Sequence, residues 1–182
     1  MAEIRAKKTT LLAILAALAW SAAAQTVSVV PAEGADFAPP PEGSGSPIGY
    51  LVSGCLGALF EAGFVVTDET VFRGPRSAWE GSGGGLERGL AGAKEGLVDY
   101  VIAIYVDWAP SSFHKSVLLP AGIAYGLVRV SDGKTIIKGE TAGVPDSEEA
   151  SARFAETASQ AGAQAALPCV KSLRTLAMGG RE

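Results

Sequence analysis

The chain has 182 residues, 48% of them apolar, and 15 basic against 19 acidic side chains give it a net charge of −4. That balance excludes a nucleic-acid binder, which needs a basic footprint to displace counterions, and it disfavours polybasic attachment to anionic lipid. The length fits one domain with a core of its own, held without help from metals.

Arg5, Lys7 and Lys8 precede the apolar run Leu11 to Trp20, which ends in Ser21-Ala22-Ala23-Ala24. This is the order of a secretory signal peptide, with cleavage expected after Ala24 and Gln25 as the new terminus. Retention as an anchor is the lesser alternative, because Leu11 to Ala24 falls short of the roughly 20 residues that span a bilayer. The cut site has no cysteine, so no lipid anchor is expected. Removing residues 1–24 leaves 158 residues with 12 basic and 18 acidic side chains, a net charge of −6. The expected location is the periplasm, with no membrane span after cleavage.

Thr26 to Val30 is a β-branched run that reads as a strand, ended by the Gly, Pro and Ser-rich stretch Pro31 to Pro47. Ile48, Val52, Cys55 and Leu59 recur at helical spacing, with Ser46 as N-cap, Pro47 as first helical residue and Gly63 past the last turn. The helix is expected from Pro47 to about Ala62. Phe64 to Thr67 reads as a buried strand, Asp68 to Gly85 as a long loop, and Leu86 to Leu97 as a second helix. The nearly continuous apolar run Val98 to Trp108 predicts a strand buried on both faces. Two further strands, Val117 to Val130 and Thr135 to Ala142, flank Ser131-Asp132-Gly133-Lys134, a strong hairpin signal. Ser147 followed by Glu148 and Glu149 opens a last helix, expected to run to about Ala177 with a kink at Pro168.

The fold class predicted is α/β (α+β): a mixed sheet of about five strands, in β-α-β-α-β-β-β-α order, with helices packed on it. Cys55 and Cys169 are the only cysteines. Each lies on the apolar stripe of its helix, and export to an oxidising compartment predicts a disulfide between them. The alternative is two unpaired buried thiols.

No catalytic residue, cofactor or metal is expected. His114 is the only histidine, and with the cysteines reserved for a bridge the usual zinc ligand sets cannot be assembled around it. Gly81-Ser82-Gly83-Gly84-Gly85 precedes a helix, but Leu86-Glu87 follows where a phosphate loop would carry Lys-Ser or Lys-Thr, so it reads as a flexible loop. Asp68, Glu69, Asp99 and Asp107 lie near strand ends, and nothing in their spacing demands an acid and base pair. Trp79, Trp108 and Phe113 read as loop aromatics, candidate anchors for a protein partner. The competing reading folds them back over the sheet edge or the helix ends.

Gly49 to Asp68 (GYLVSGCLGALFEAGFVVTD) resembles a helix-then-strand segment of bacterial envelope proteins. The group includes the TolB amino-terminal domain, CsgG, the LpoB-type activators of penicillin-binding proteins, and FlgO and FlgT. Leu97 to Ile102 resembles their "A-D-Y-V-I" strand, and Leu127 to Ile136 their "D-V-x-T-G-K-I" hairpin. The chain departs from the pattern at Glu69-Thr70-Val71-Phe72, where the secretion proteins continue with an arginine and a leucine-rich helix. The resemblance implies the fold and a non-enzymatic envelope role, and it names no catalytic residue. The reading is an exported protein-interaction or assembly module whose partners are envelope proteins, with a homo-oligomer among the arrangements expected. The alternative is a periplasmic small-molecule or lipid-binding protein.

Overall fold

The computed structural model describes residues 25–34 and 46–179. The expected signal peptide lies outside the described residues. In chain order the elements are β1 (Thr26–Glu33), α1 (Pro47–Glu61), β2 (Val65–Asp68), β3 (Phe72–Arg73), α2 (Arg76–Glu80), α3 (Gly85–Glu95), β4 (Tyr100–Pro110), β5 (Leu118–Arg129), β6 (Thr135–Ala142), α4 (Glu148–Ala152) and α5 (Phe154–Gly179). One mixed sheet runs in the order β2-β1-β4-β5-β6, with β3 following β2 along the same edge of β1. β1 is parallel to β2, β3 and β4, while β4, β5 and β6 are successively antiparallel. The fold is the expected α/β class.

β1 does not stop at Pro31 as the sequence suggests. The Val29 and Glu33 carbonyls accept from Glu69 and Gly74 on the β2–β3 side. Pro31, two residues from each, therefore turns its missing N–H to that same side. There β2 ends opposite Val29 and β3 begins opposite Ala32, so the interruption falls where no donor is needed. Pairing to β4 continues through Pro31 and Ile104.

α1 and α5 cover one face. Val27 and Val29 of β1, Ile102, Ile104 and Val106 of β4, and Ile123 and Leu127 of β5 meet Leu51, Cys55 and Leu59 of α1 and Ala165, Cys169 and Leu173 of α5. The two helices touch backbone to backbone. A Cβ on Gly54 would overlap the Ser159 carbonyl, and one on Gly162 would overlap the Leu51 carbonyl. At one end of this contact Tyr50 and Phe154 meet edge to face, with ring centroids 5.6 Å apart.

The final helical region is divided at Arg153, whose φ of −113° and ψ of 33° separate α4 from α5, so the expected single helix is two. Ser147 caps α4 as predicted, its hydroxyl accepting from the Ala150 N–H at 3.1 Å. Ser46 stands before α1 with extended backbone, but its side chain makes no capping bond. The expected long loop from Asp68 to Gly85 contains β3 and α2, elements too short to carry a periodic signal. The Asp-Gly hairpin forms as expected, with Gly133 at φ +67° and the Arg129 N–H donating to the Lys134 carbonyl at 2.9 Å.

The expected disulfide is not seen: in the structure Cys55 and Cys169 are free buried thiols. Both face the same core between α1, α5 and the sheet. Burial raises the Cys55 pKa, with a smaller contribution from Cys169, and burial pushes the Cys169 thiol up to about 12. Both therefore stay protonated at neutral pH, the unreactive form in thiol exchange.

This packing can be tested in two ways. Gly54→Ala and Gly162→Ala are each expected to lose about 3 kcal/mol in denaturant titrations, because the displaced atoms are backbone. Gly57→Ala, also in α1 but with open space at its Cβ position, is expected to be neutral or to gain up to about 1 kcal/mol. For the thiols, Ellman's reagent under non-reducing conditions should find both unreactive in the native protein and both reactive in guanidinium. No thiol released on unfolding would mean a bridge.

Candidate functional site

The second sheet face is covered over half its width. Val30 of β1 and Val101 of β4 pack with Ala93 of α3. Ala32, Ala103 and Tyr105 pack with Trp79 of α2. The Trp79 and Tyr105 rings lie 5.5 Å apart, and the Tyr105 hydroxyl donates to the Gly74 carbonyl at 3.0 Å, tying the segment before α2 to the sheet. Toward β6 the same face is left open as a groove of about 490 Å³. Its floor includes Ala103, Ala124 and Gly126, its helical wall Arg76, Glu80 and Leu86, and its far wall Lys138 and Glu140 of β6. The floor is low because β5 alternates Gly122, Ala124 and Gly126 with the large residues Ile123, Tyr125 and Leu127, which point to the other face.

Arg76 spans the mouth. Its Nη1 donates to Glu140 at 2.6 Å and its Nε to Glu80 at 3.0 Å. These bonds, Glu140 first and then Glu80, raise the guanidinium pKa further. The side chains remain 40–65% exposed, so each pair is worth about 0–1 kcal/mol, a latch that opens readily. Deeper in, the Trp79 Nε1 donor is buried and has no hydrogen-bond partner among the described residues.

Of the three aromatics expected on loops, two are in the core. Trp79 belongs to α2 and is 3% exposed, and Trp108 belongs to β4 and is 6% exposed. The Trp108 indole donates to Glu33 at 3.1 Å, and Glu33 also accepts from Arg73 at 2.8 Å. The correction has a simple cause: the Gly and Pro content around each tryptophan hides a short helix in one case and a strand continuation in the other. Phe113 is 53% exposed. Its loop is pinned beneath the tip: Asp146 accepts from the Ser111 hydroxyl at 2.8 Å and from the Ser112 N–H and hydroxyl at 2.8 and 2.6 Å. Ser111 also bonds the buried Ser151 hydroxyl at 2.5 Å. The carboxyl of Asp146 is thereby held below its ordinary value, through the Ser112 side chain first, then the Ser112 backbone and Ser111.

The four carboxylates do not converge. Asp99 sits at the start of β4, where it accepts from the Thr26 N–H and hydroxyl at 2.8 and 2.9 Å. Asp68 pairs with Val29, level with Ile102 on β4, so Asp107 lies five residues higher, about 17 Å along the strands. In the glycine segment the Gly83 N–H donates to Glu87 at 2.6 Å, so the chain's own carboxylate occupies the anion position. His114 is exposed, its backbone N–H reaching the Ser111 hydroxyl at 3.4 Å. Among the described residues no group of three His, Cys, Asp or Glu could hold a metal ion, and no helix is long and apolar enough to cross a membrane.

Asp146 gives a pH prediction. Its pKa is depressed on folding, so its stabilising effect is present above the ordinary value of 3.8 and disappears as pH falls through the folded value. Asp146→Asn should melt at a lower temperature than the parent at pH 7. The gap should shrink with acidification below pH 3.8, as followed by circular dichroism.

No protein-family model matches the chain, and no curated protein does. Solved structures do. A PelC dodecamer from Paraburkholderia phytofirmans is similar at 17% identity and a TM-score of 0.44, over 78% of this chain and 83% of that one. TolB from Acinetobacter baumannii is similar at 12% identity and a TM-score of 0.42, over 82% of this chain and 28% of that one. The LpoB C-terminal domain from Salmonella enterica is similar at 13% identity and a TM-score of 0.38, over 66% of this chain and 82% of that one. TolB and LpoB are two of the proteins that the motifs at residues 49–68, 97–102 and 127–136 resemble.

Proposed function

We propose that the chain is a non-enzymatic periplasmic protein of the bacterial cell envelope, a protein-interaction or assembly module that meets other envelope proteins through the open half of its sheet and the Phe113 loop. The export signature supports the location. The observation that carries the rest is the unequal cover of the sheet: one face is filled by two helices in backbone contact, while the other leaves a charged, shallow groove beside β6, which among the described residues pairs only with β5. A surface of that kind suits a macromolecule better than an enclosed pocket would. Phe113, held out on a loop fixed from below, supplies an aromatic anchor.

Two observations favour the second reading, a small molecule in the groove. Its volume of about 490 Å³ falls within the ordinary ligand-site range of roughly 300–1,000 Å³, and Trp79 Nε1 lacks an acceptor among the described residues.

Crosslinking in the native envelope, followed by pull-down through a C-terminal tag and mass spectrometry, separates the two. The expected result is reproducible capture of envelope proteins that falls at least about tenfold with Phe113→Ala, a substitution of an exposed side chain with little effect on melting. Capture unaffected by Phe113→Ala, together with a small molecule that co-purifies with the folded protein and is excluded by Leu86→Trp, would overturn it in favour of the ligand reading. Trp79→Ala and Trp108→Ala are expected to act through the core, each losing about 3–5 kcal/mol of stability.

A further inference from the structure

We propose that a second copy of this chain pairs with the first along β6, antiparallel and centred on Gly139, so that the sheet continues across a two-fold axis. β6 is the long open edge: it has eight residues and, among the described residues, pairs only with β5. The opposite edge is broken between the four residues of β2 and the two of β3. A regular strand left unpaired offers a row of donors and acceptors to another strand.

Its charges select the partner and the register. In an antiparallel pair centred on Gly139, Lys138 of each copy stands opposite Glu140 of the other, Ile137 opposite Thr141, and Ile136 opposite Ala142. No like charges meet. Sliding the register by two residues in one direction puts Lys138 opposite Lys138, and in the other direction Glu140 opposite Glu140, both unfavourable. Registers that keep each sheet face continuous differ by such steps, so the sequence Lys-Gly-Glu is self-complementary in one of them. The second copy also completes the groove. Lys138 and Glu140 line its far wall and Arg76 already bonds Glu140, so the partner's Lys138 would extend the charge row Glu80, Arg76, Glu140 across the open side.

This goes beyond the envelope-partner reading. The Phe113 loop is not part of the β6 edge, so loss of self-pairing leaves its capture of a partner intact. The test is sedimentation velocity of the purified protein over a concentration series, with circular dichroism melts to verify folding. The wild type should form a dimer. Lys138→Glu and Glu140→Lys should each raise its Kd about tenfold or more, and K138E/E140K should return it to near the parent value. A 1:1 mixture of the two single variants should also form a heterodimer. A monomer at every concentration, a dimer indifferent to Lys138→Glu, or a double variant weaker than either single would overturn the proposal. Should Glu140→Lys fail to fold, Lys138→Glu decides alone, because Lys138 makes no ion pair among the described residues.

Discussion

The rest of the structure depends on the contact between the backbones of α1 and α5 at Gly54 and Gly162. Because neither residue carries a Cβ, the helices approach until carbonyl oxygens of one sit against the Cα atoms of the other, a geometry that larger residues forbid. Both helices can then lie on one sheet face over β1, β4 and β5 and bury Leu51, Leu59 and Leu173 together. Cys55 and Cys169 share that core as free thiols. It commits the whole face to stability.

The proposed function is therefore assigned to the other face and to the edges. There α2 has five residues and β3 two, and the segment between Phe72 and Gly85 is held by the pairing of β3 with β1, the Arg73–Glu33 bond, the buried Trp79 against Tyr105, the Tyr105 hydroxyl bond and an exposed latch at Arg76. The buried Trp79 fixes the inner side of this segment, and the solvent-exposed Arg76 pairs are the part of the groove rim held most weakly. The net charge of −4 favours partners of opposite sign, while the proposed pairing of β6 with a second copy would use its Lys-Gly-Glu pattern.

Long periodic elements were legible in the sequence. α1, α3, β4 and the hairpin follow from apolar spacing and the Asp-Gly turn, with ends within two or three residues of those expected. Three features were not. Pro31 looks like a strand breaker because the sequence does not reveal that the neighbouring edge is interrupted at that level. Trp79 looks like a loop residue because composition averages over β3 and α2, which are shorter than any period, and Trp108 because it stands at the end of its apolar run, beside Pro110, where β4 in fact continues. The Cys55 and Cys169 stripes correctly face one core, yet a shared face does not by itself make a bond between two sulfurs. The groove was illegible for a related reason: it arises where α2 and α3 end, and the only trace in the sequence is the Gly122, Ala124 and Gly126 alternation of β5.

The central claim is that one face is structural and the other is the working surface. Site-specific photocrosslinking in the living envelope tests it most directly, with a photoreactive side chain placed in turn at Leu86 in the groove, at Phe113, and at exposed Gln164 on the outer side of α5. Discrete adducts with envelope proteins are predicted from Leu86 and Phe113 and none from Gln164. Adducts from Gln164 alone, or equally from all three positions, would contradict it.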